Sequence, residues 1–374
     1  MELETPETPV ALVVGVTGMA GLSLAEALKK PTALGGPWKV YGAARRPKPT
    51  WFSPSLLDLY IQFNALDPHD TCKNLSIISE HVTHLFWVVL QAHDNEEANI
   101  ATNSSMLSNV LHVLTSNSTT SRLRHVTLQT GTKHYIGPDL DHAGPSDPPF
   151  HENMTRLPYP NFYYVLEDLL ASYSPAFTWS VHRSSIIIGA SSRSIYNMLL
   201  TLATYALICR REGAPFRYPG SRYTWEHFCD ASDAGLLAQQ QIWAAVSDSA
   251  KNQAFNCTNG DVFTWKAFWT VLSEIFGVEP VPPCGDIAEF NWVEEMKEKG
   301  GVWDAIVREN GLHETKLEEI TCFGASNAVM NFGFQHVSSM NKSREFGFLG
   351  YVDTLKSLRK WIERLREMNI LPKT

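Results

Sequence analysis

Residues 10–21 of the chain read VALVVGVTGMAG, an apolar run that leads into three glycines at intervals of three residues. The apolar run predicts a strand buried on both faces over Val10–Gly15, and the following pattern predicts a helix over Gly21–Lys30. Glycines between a strand and a helix allow a tight turn and let backbone N–H groups approach a pyrophosphate at the helix N-terminus. The alternative is a glycine-rich turn without a ligand. The predicted phosphate loop consists of Gly15, Thr17, Gly18, Met19, Ala20 and Gly21.

Strand and helix patterns alternate through the rest of the first half of the chain. Such alternation predicts an α/β fold with a doubly wound parallel sheet of the Rossmann type, because parallel strands need helical crossovers. The predicted strands are Trp38–Ala44, Leu59–Phe63, His84–Val89, Arg124–Gln129 and Trp179–His182, and the predicted helices are Glu97–Leu114 and Asn161–Ser172.

The second half is mainly helical, with Trp, Phe and Gly scattered through it. We predict a nucleotide-binding domain over residues 1–194, to which residues 225–262 return, and a smaller helical lid over residues 195–224 and 263–374. A long loop is predicted over Asp139–Pro160, and long ordered loops are often functional. Six apolar lid residues fit either a substrate pocket or an ordinary core: Met198, Leu202, Tyr205, Phe216, Trp225 and Phe228.

Composition narrows the possible classes of partner. The 374 residues include 31 basic and 39 acidic side chains, a formal charge of -8, with 44% hydrophobic residues. This balance favours a globular protein and argues against nucleic acid as a partner. The acidic start lacks the basic region of a secretory signal, and no apolar run reaches the ~18 residues that span a membrane. Since the six cysteines form no C-x-x-C pair, we expect a cytoplasmic protein with free thiols and no metal.

Two arginines follow the second predicted strand, where an NAD site usually carries an acidic residue for the ribose. Guanidinium groups attract a 2′-phosphate, so Arg45 and Arg46 favour NADPH over NADH. A solvated basic turn is the alternative interpretation. After the third strand, Asn64, with Ala65 beside it, or Asp67 is placed to contact adenine; an exposed polar loop explains these residues equally well.

Two further segments carry candidate catalytic side chains. Lys133 follows the strand that ends near Gln129, and Tyr163 lies in the first turn of the helix that opens with NFYYVLED at residues 161–168. Reductases of this fold usually carry Tyr-x-x-x-Lys on that helix, but Glu167 stands four residues after Tyr163. Without further information, a packed aromatic and a surface lysine are the ordinary interpretations of these two residues.

The segments LQTGTKHYIGP at residues 128–138 and NFYYVLED at 161–168 together resemble the progesterone 5β-reductase and iridoid synthase (PRISE) family of atypical extended short-chain dehydrogenases/reductases. In that family the catalytic lysine lies in the first segment and the tyrosine opens the second. The resemblance covers nearly the whole chain from about Val10. Shorter matching segments are 36–42, 179–183, 256–265, 339–343 and 347–350.

The resemblance implies NADPH-dependent 1,4-reduction of the activated C=C bond of a lipophilic enone or enal, in specialised metabolism. It implies that Tyr163 stabilises the developing enolate oxygen and that Lys133 orients Tyr163 and the nicotinamide ribose. It also makes a homodimer a reasonable expectation. His134 and Tyr135 are interpreted as structural or pocket-lining. Further cofactor contacts are expected from Val88, Val89, Gln129, Thr130, Ser185 and Ile186.

Several residues near the expected pocket differ from the family pattern. Val89-Leu90 and Ser184-Ser185 replace a polar–aromatic pair and a proline, and Asp139 and His336 stand where aromatic residues are common. These differences leave the substrate open. They keep two alternatives under consideration: an NADP-dependent carbonyl reductase or cyclisation-guiding enzyme, and a non-catalytic NADP-binding protein.

Overall fold

The computed structural model describes residues 8–116, 120–137, 147–283 and 290–373. In chain order its strands are β1 (Val10–Val14), β2 (Lys39–Ala44), β3 (Leu59–Gln62), β4 (His84–Trp87), β5 (His125–Gly131), β6 (Thr178–Ser184), β7 (Ile186–Ile188), β8 (Phe216–Arg217), β9 (Phe228–Cys229), β10 (Ala231–Asp233), β11 (Gln253–Cys257), β12 (Phe263–Thr264) and β13 (Pro280–Val281).

The α-helices are α1 (Met19–Leu28), α2 (Pro68–Leu75), α3 (Glu96–Thr115), α4 (Phe162–Ser172), α5 (Met198–Glu212), α6 (Arg222–Glu226), α7 (Ala234–Val246), α8 (Trp265–Phe276), α9 (Trp292–Lys297), α10 (Gly300–Glu309), α11 (Leu317–Ile320), α12 (Phe323–Met330), α13 (Asn341–Glu345) and α14 (Thr354–Glu367). Short 3₁₀ helices lie at Thr132–Tyr135 and Asp248–Ala250.

Seven strands form one parallel sheet in the order β11-β6-β5-β4-β1-β2-β3. The chain runs outward in one direction from β1 to β3 and then crosses back to β4 on the other side of β1. A crevice opens at such a reversal, at the carboxyl ends of the strands, and ligands of this fold bind there. The predicted doubly wound fold is therefore confirmed.

The core lies on both faces of the sheet. Alternate residues of a strand point to opposite faces, so Ala11 and Val13 pack in one hydrophobic cluster while Leu12 and Val14 pack in another. The first cluster also contains Trp269 and other residues of the second half of the chain. Because one core spans both parts, the division near residue 194 stays a prediction.

The second half returns to the sheet through β11, which pairs with β6. Four of the six apolar residues considered for the pocket belong to the core: Met198, Leu202, Tyr205 and Phe216 are buried. Phe216 stacks on Trp269 with ring centroids 4.0 Å apart. Trp225 is partly buried against the same core, whereas Phe228 is 53% exposed.

The long loop is described from residue 147 onward, and residues 139–146, including Asp139, lie outside the described residues. Phe150 fixes the described part, because its N–H donates to the Val337 carbonyl and its carbonyl accepts from the Ser339 N–H, both at 2.8 Å. The loop is thereby attached to the C-terminal part of the chain. In the described ranges, no helix is both long and apolar enough to cross a membrane.

Candidate active site

The turn between β1 and α1 forms a backbone cradle. Gly15 has φ +95°, a left-handed conformation that favours glycine. A side chain at Gly21 would overlap the Gly15 carbonyl oxygen. The α1 helix begins at Met19 rather than at Gly21, because Gly18 already accepts the first helical hydrogen bond, from the Leu22 N–H at 2.8 Å. This tight turn at a helix N-terminus fits a pyrophosphate.

A distant segment reaches the cradle. The Met19 N–H, at the start of α1, donates to Ser194 Oγ at 2.9 Å, and the Ser191 hydroxyl donates to the Thr17 carbonyl at 2.7 Å. Residues 191–194 therefore lie against the phosphate loop. The sequence pattern did not reveal this contact, because it joins residues 175 positions apart.

Arg45 and Arg46 lie exposed just beyond β2. Within the described ranges neither forms an ion pair with a carboxylate, so both can face an anion.

The candidate adenine contacts that follow β3 take part in local structure. Asp67 caps α2 by accepting from the N–H groups of His69 and Asp70, at 2.9 and 3.1 Å. This capping role supports the interpretation of Asp67 as a loop residue. Asn64 Oδ1 accepts a turn hydrogen bond from the Leu66 N–H at 3.3 Å, and Ala65 is buried.

The remaining candidate cofactor residues lie at the carboxyl ends of β4, β5 and β6. A Cβ at Gly15 would lie 3.0 Å from the Val88 carbonyl oxygen, so the cradle and the end of β4 are in close contact. Thr130 is 2% exposed, and its hydroxyl has no hydrogen-bond partner. A buried hydroxyl of this kind usually has a partner, so Thr130 is available to a bound group. Val89, Gln129 and Ile186 lie at the same edge.

Tyr163 and Lys133 come together through two intermediate residues. Glu96, the first residue of α3, accepts from Lys133 Nζ at 2.5 Å and from the Phe162 N–H at 2.7 Å. Asn161 caps α4 by accepting from the Tyr163 N–H at 2.9 Å, and its amide donates to the Lys133 carbonyl at 2.9 Å. Sequence analysis missed Glu96, although its place directly after the Asn95 helix cap was visible.

The tyrosine hydroxyl lies over the end of β5. A Cβ at Gly131 would lie only 3.3 Å from Tyr163 Oη, so glycine leaves room for the phenol. Burial raises the pKa of the Tyr163 phenol well above its usual value, and the nearby Tyr196 and Glu96 raise it further. Since Glu96 pairs with Lys133, the ammonium charge is largely compensated at this site. Tyr163 is therefore a protonated hydrogen-bond donor at neutral pH.

Glu167 replaces the usual helix lysine for a structural reason. It forms a buried bidentate pair with Arg183, at 2.9 and 3.1 Å, and lies 3.3 Å from His134 Nδ1. Burial alone would raise the pKa of Glu167, but His134 and Arg183 outweigh burial and lower this pKa to about 2. Arg183 also donates to the Tyr135 hydroxyl at 3.0 Å. His134 and Tyr135 therefore belong to a buried polar network that holds α4 against β6, in agreement with the structural interpretation.

His336, one of the departures from the family pattern, contacts two polar side chains. His336 Nε2 lies 2.8 Å from Thr132 Oγ1, and its Nδ1 lies 3.4 Å from Ser185 Oγ. Burial lowers the pKa of His336 to about 4, so the imidazole is neutral at pH 7. Ser185 donates from its backbone to Ser232 Oγ at 2.9 Å. These side chains satisfy one another within the wall beside the end of β5.

Comparisons with known proteins agree with this architecture. The family model described as a PRISE-like Rossmann-fold domain matches residues 57–372. The chain is 46% identical to a 3-oxo-Delta(4,5)-steroid 5-beta-reductase of Arabidopsis thaliana, covering 97% of this chain and 93% of that protein. It is 46% identical to an (S)-8-oxocitronellyl enol synthase of Camptotheca acuminata, with the same coverage.

Solved structures show the fold at lower identity. The complex of Thermus thermophilus UDP-glucose 4-epimerase with NAD superposes with a TM-score of 0.64 at 14% identity, covering 96% of this chain and 99% of that one. The WbmG enzyme of Bordetella bronchiseptica, also solved with NAD, gives a TM-score of 0.64 at 14% identity over the full chain. At this identity the likeness concerns the fold alone.

Proposed function

The chain belongs to the PRISE-like family of Rossmann-fold proteins, and from that premise we propose that it is an NADPH-dependent reductase acting on the activated C=C bond of an enone or enal. One observation carries the proposal. Tyr163 and Lys133 both lie at the end of β5: the Tyr163 hydroxyl sits against Gly131, and the Lys133 carbonyl accepts from Asn161, which caps α4. A hydrogen-bond donor for a substrate oxygen therefore stands at the edge where this fold binds its ligands.

The described residues fit a dinucleotide. The Gly15–Gly21 turn is a cradle that a Cβ would fill, and the Thr130 hydroxyl is a buried group without a partner. The two guanidinium groups of Arg45 and Arg46 suit a 2′-phosphate, which supports NADPH rather than NADH. When bound, NADPH would supply a hydride to the β-carbon of the conjugated substrate, and the resulting enolate would take a proton at its α-carbon from Tyr163 or from water.

Tyr163 donates a hydrogen bond to the carbonyl oxygen of the substrate. Charge grows on this oxygen as the C=C bond is reduced, and a donor aimed at developing charge stabilises the transition state more than the ground state. The raised pKa of Tyr163 keeps the phenol protonated and able to donate. Lys133 lies at the same edge with its ammonium paired to Glu96, which fixes its position for a contact with the ribose hydroxyls.

Relatives favour conjugate reduction over the alternatives. The steroid in the name of the Arabidopsis thaliana protein carries a C=C bond conjugated to a 3-oxo group. By analogy we propose a lipophilic small molecule with such a system as the substrate here. A cytoplasmic location, a homodimeric state and a role in specialised metabolism remain part of the proposal and rest on the family resemblance.

The deciding experiment follows NADPH oxidation with a panel of small enones and enals, using cofactor deuterated at the transferred position. A saturated ketone or aldehyde with deuterium at the β-carbon supports the proposal. An allylic alcohol with deuterium at the carbonyl carbon would replace it with carbonyl reduction. NADPH binding without consumption across the panel would favour a non-catalytic role.

A further inference from the structure

The segment that leads from β7 to α5 lies against the phosphate loop. It is fixed at two points on the phosphate loop, by the hydroxyls of Ser191 and Ser194, at 2.7 and 2.9 Å. Arg193 stands between these points, and its N–H donates to Ser191 Oγ at 2.8 Å. The backbone of Arg193 is therefore held in place, and this fixes the point from which its side chain extends.

The side chain reaches the turn that follows β2. Arg193 Nη1 donates to the Pro47 carbonyl at 2.6 Å, and Arg46 Nη2 donates to the Arg193 carbonyl at 3.3 Å. The hydroxyl of Tyr60, a residue of β3, donates to the Arg46 carbonyl at 2.5 Å. Two guanidinium groups from distant parts of the chain thus lie close together at the turn that follows β2, directly after Arg45 in the sequence.

Charge at this point is uncompensated. In the part of the chain that the structure describes, Arg46 and Arg193 have no carboxylate within ion-pair distance, whereas seven other arginines lie beside one. Burial lowers the pKa of Arg193, and the positive charge of Arg46 lowers it further. Like charges held together repel, and an anion between them removes the repulsion.

We propose that Arg193 is a third guanidinium of the 2′-phosphate site and a specificity-determining residue for NADPH over NADH. The inference rests on the proposed use of NADPH. A guanidinium has five N–H donors, so the bond from Nη1 to Pro47 leaves donors for a phosphate oxygen. Arg45 and Arg46 approach this phosphate from the end of β2, while Arg193 approaches from the segment between β7 and α5 that contacts the phosphate loop.

The test measures binding rather than turnover, by titration calorimetry of adenosine 2′,5′-bisphosphate and of 5′-AMP. The two probes differ only in the 2′-phosphate. Arg193→Gln keeps a polar amide that can donate a hydrogen bond but has lost the positive charge. We expect it to bind the bisphosphate roughly 10-fold or more weakly, as for a lost charge-assisted hydrogen bond, and to bind 5′-AMP within about 2-fold of wild type.

Two further variants complete the design. Arg193→Lys keeps the charge without the planar fork and should lose less affinity than Arg193→Gln. Arg222→Ala removes an exposed arginine on α6 that pairs with Glu226 and should leave both probes unchanged. Thermal melting of each variant shows that it is folded before binding is compared.

The outcomes separate this inference from the proposed function. Unchanged bisphosphate affinity in Arg193→Gln, together with a large loss in the Arg45→Ala/Arg46→Ala double variant, would overturn the role of Arg193 and leave the NADPH assignment standing. Equal affinity of the wild-type protein for bisphosphate and 5′-AMP would instead overturn the NADPH assignment. An equal loss of both probes in Arg193→Gln would show that Arg193 only shapes the loop.

Discussion

Lys133 Nζ lies 2.5 Å from the Oε2 atom of Glu96, and the other carboxylate oxygen of Glu96 accepts from the N–H that opens α4. One carboxylate therefore links the lysine segment after β5 to the helix that carries Tyr163. The relationship explains how Lys133 is held at the crevice even though it does not share a helix with the tyrosine.

Glu96→Gln should weaken this link. The amide can still accept from Phe162, but it loses the charge that holds Lys133. We expect a loss of about 1 kcal/mol in the free energy of unfolding, discounted because Lys133 is partly solvent-exposed, and a lower kcat because the lysine is no longer fixed. Urea unfolding and steady-state kinetics measure the two effects. Glu97→Gln, at the exposed neighbouring position, is the matched control, and an equal kcat in both variants would remove Glu96 from the positioning role.

Tyr163→Phe removes the hydroxyl while leaving the ring in place. If the phenol stabilises the developing enolate oxygen, enone turnover should fall by roughly 10²-fold or more, as for other oxyanion donors. NADPH affinity should change little in the same variant. The control is Tyr351→Phe, which removes a phenol from an 80% exposed tyrosine. Near-normal kcat in Tyr163→Phe would exclude the phenol from the reaction.

Local patterns predicted the sheet well because strand and helix periodicities depend on neighbouring residues. The strands from β1 to β6 all lie where short apolar runs placed them, with small shifts at their ends. Differences at the starts of helices also have local causes. Helix α3 begins at Glu96, one residue before the predicted start, because the Asn95 side chain accepts from the Ala98 N–H at 2.8 Å.

Contacts between distant segments could not be predicted in this way. The bond from Met19 to Ser194 and the approach of Arg193 to Arg46 depend on how the chain returns to the crevice after β7. The charge balance at Tyr163 also depended on Glu96, which lies on a different helix. The lysine and tyrosine themselves were recognisable only through the family segments, since each residue alone fits an ordinary structural role.

Arg45→Ala combined with Arg46→Ala tests the cofactor preference. Both side chains are exposed at the end of β2 and free of carboxylate partners among the described residues. Removing them should weaken NADPH binding by much more than NADH binding, because NADH lacks the 2′-phosphate. Cofactor fluorescence titration gives both dissociation constants. An equal loss for the two cofactors would discard the 2′-phosphate assignment.

Gly21→Ala tests the backbone cradle. The added Cβ would overlap the Gly15 carbonyl oxygen, so the turn must open and its N–H groups must move. We expect loss of most cofactor affinity together with a lower melting temperature. Gly324→Ala is the matched control, because a Cβ there meets nothing within 4 Å and alanine suits the first turn of α12. Similar cofactor affinity in both variants would contradict the assignment of the turn as the phosphate loop.

Acid should destabilise the protein below about pH 6.5 through its buried histidines. Burial lowers the pKa of His84, His182 and His336 to about 4, and lowers that of His125 well below its usual value. These imidazoles are neutral in the folded state, whereas the unfolded chain takes up protons near pH 6.5. The unfolded state therefore binds more protons as the pH falls from 6.5 towards 4, and stability decreases.

Asp230 acts in the opposite direction over the same window. Burial raises the pKa of Asp230 to about 7. Between about pH 7 and pH 4 the folded state therefore holds a proton on Asp230 that the unfolded chain lacks. The four histidine protons outnumber this one by three, which gives a steep net loss of stability with acid, of about 4 kcal/mol per pH unit. Buried His134, whose pKa burial also lowers, acts in the same direction. Urea unfolding between pH 7.5 and 4.5 measures this slope. His84→Gln, which keeps a side chain able to bond the Thr83 hydroxyl, should reduce the slope by about one quarter to one third. A stability that stays level across this range would show that the imidazoles become protonated without unfolding.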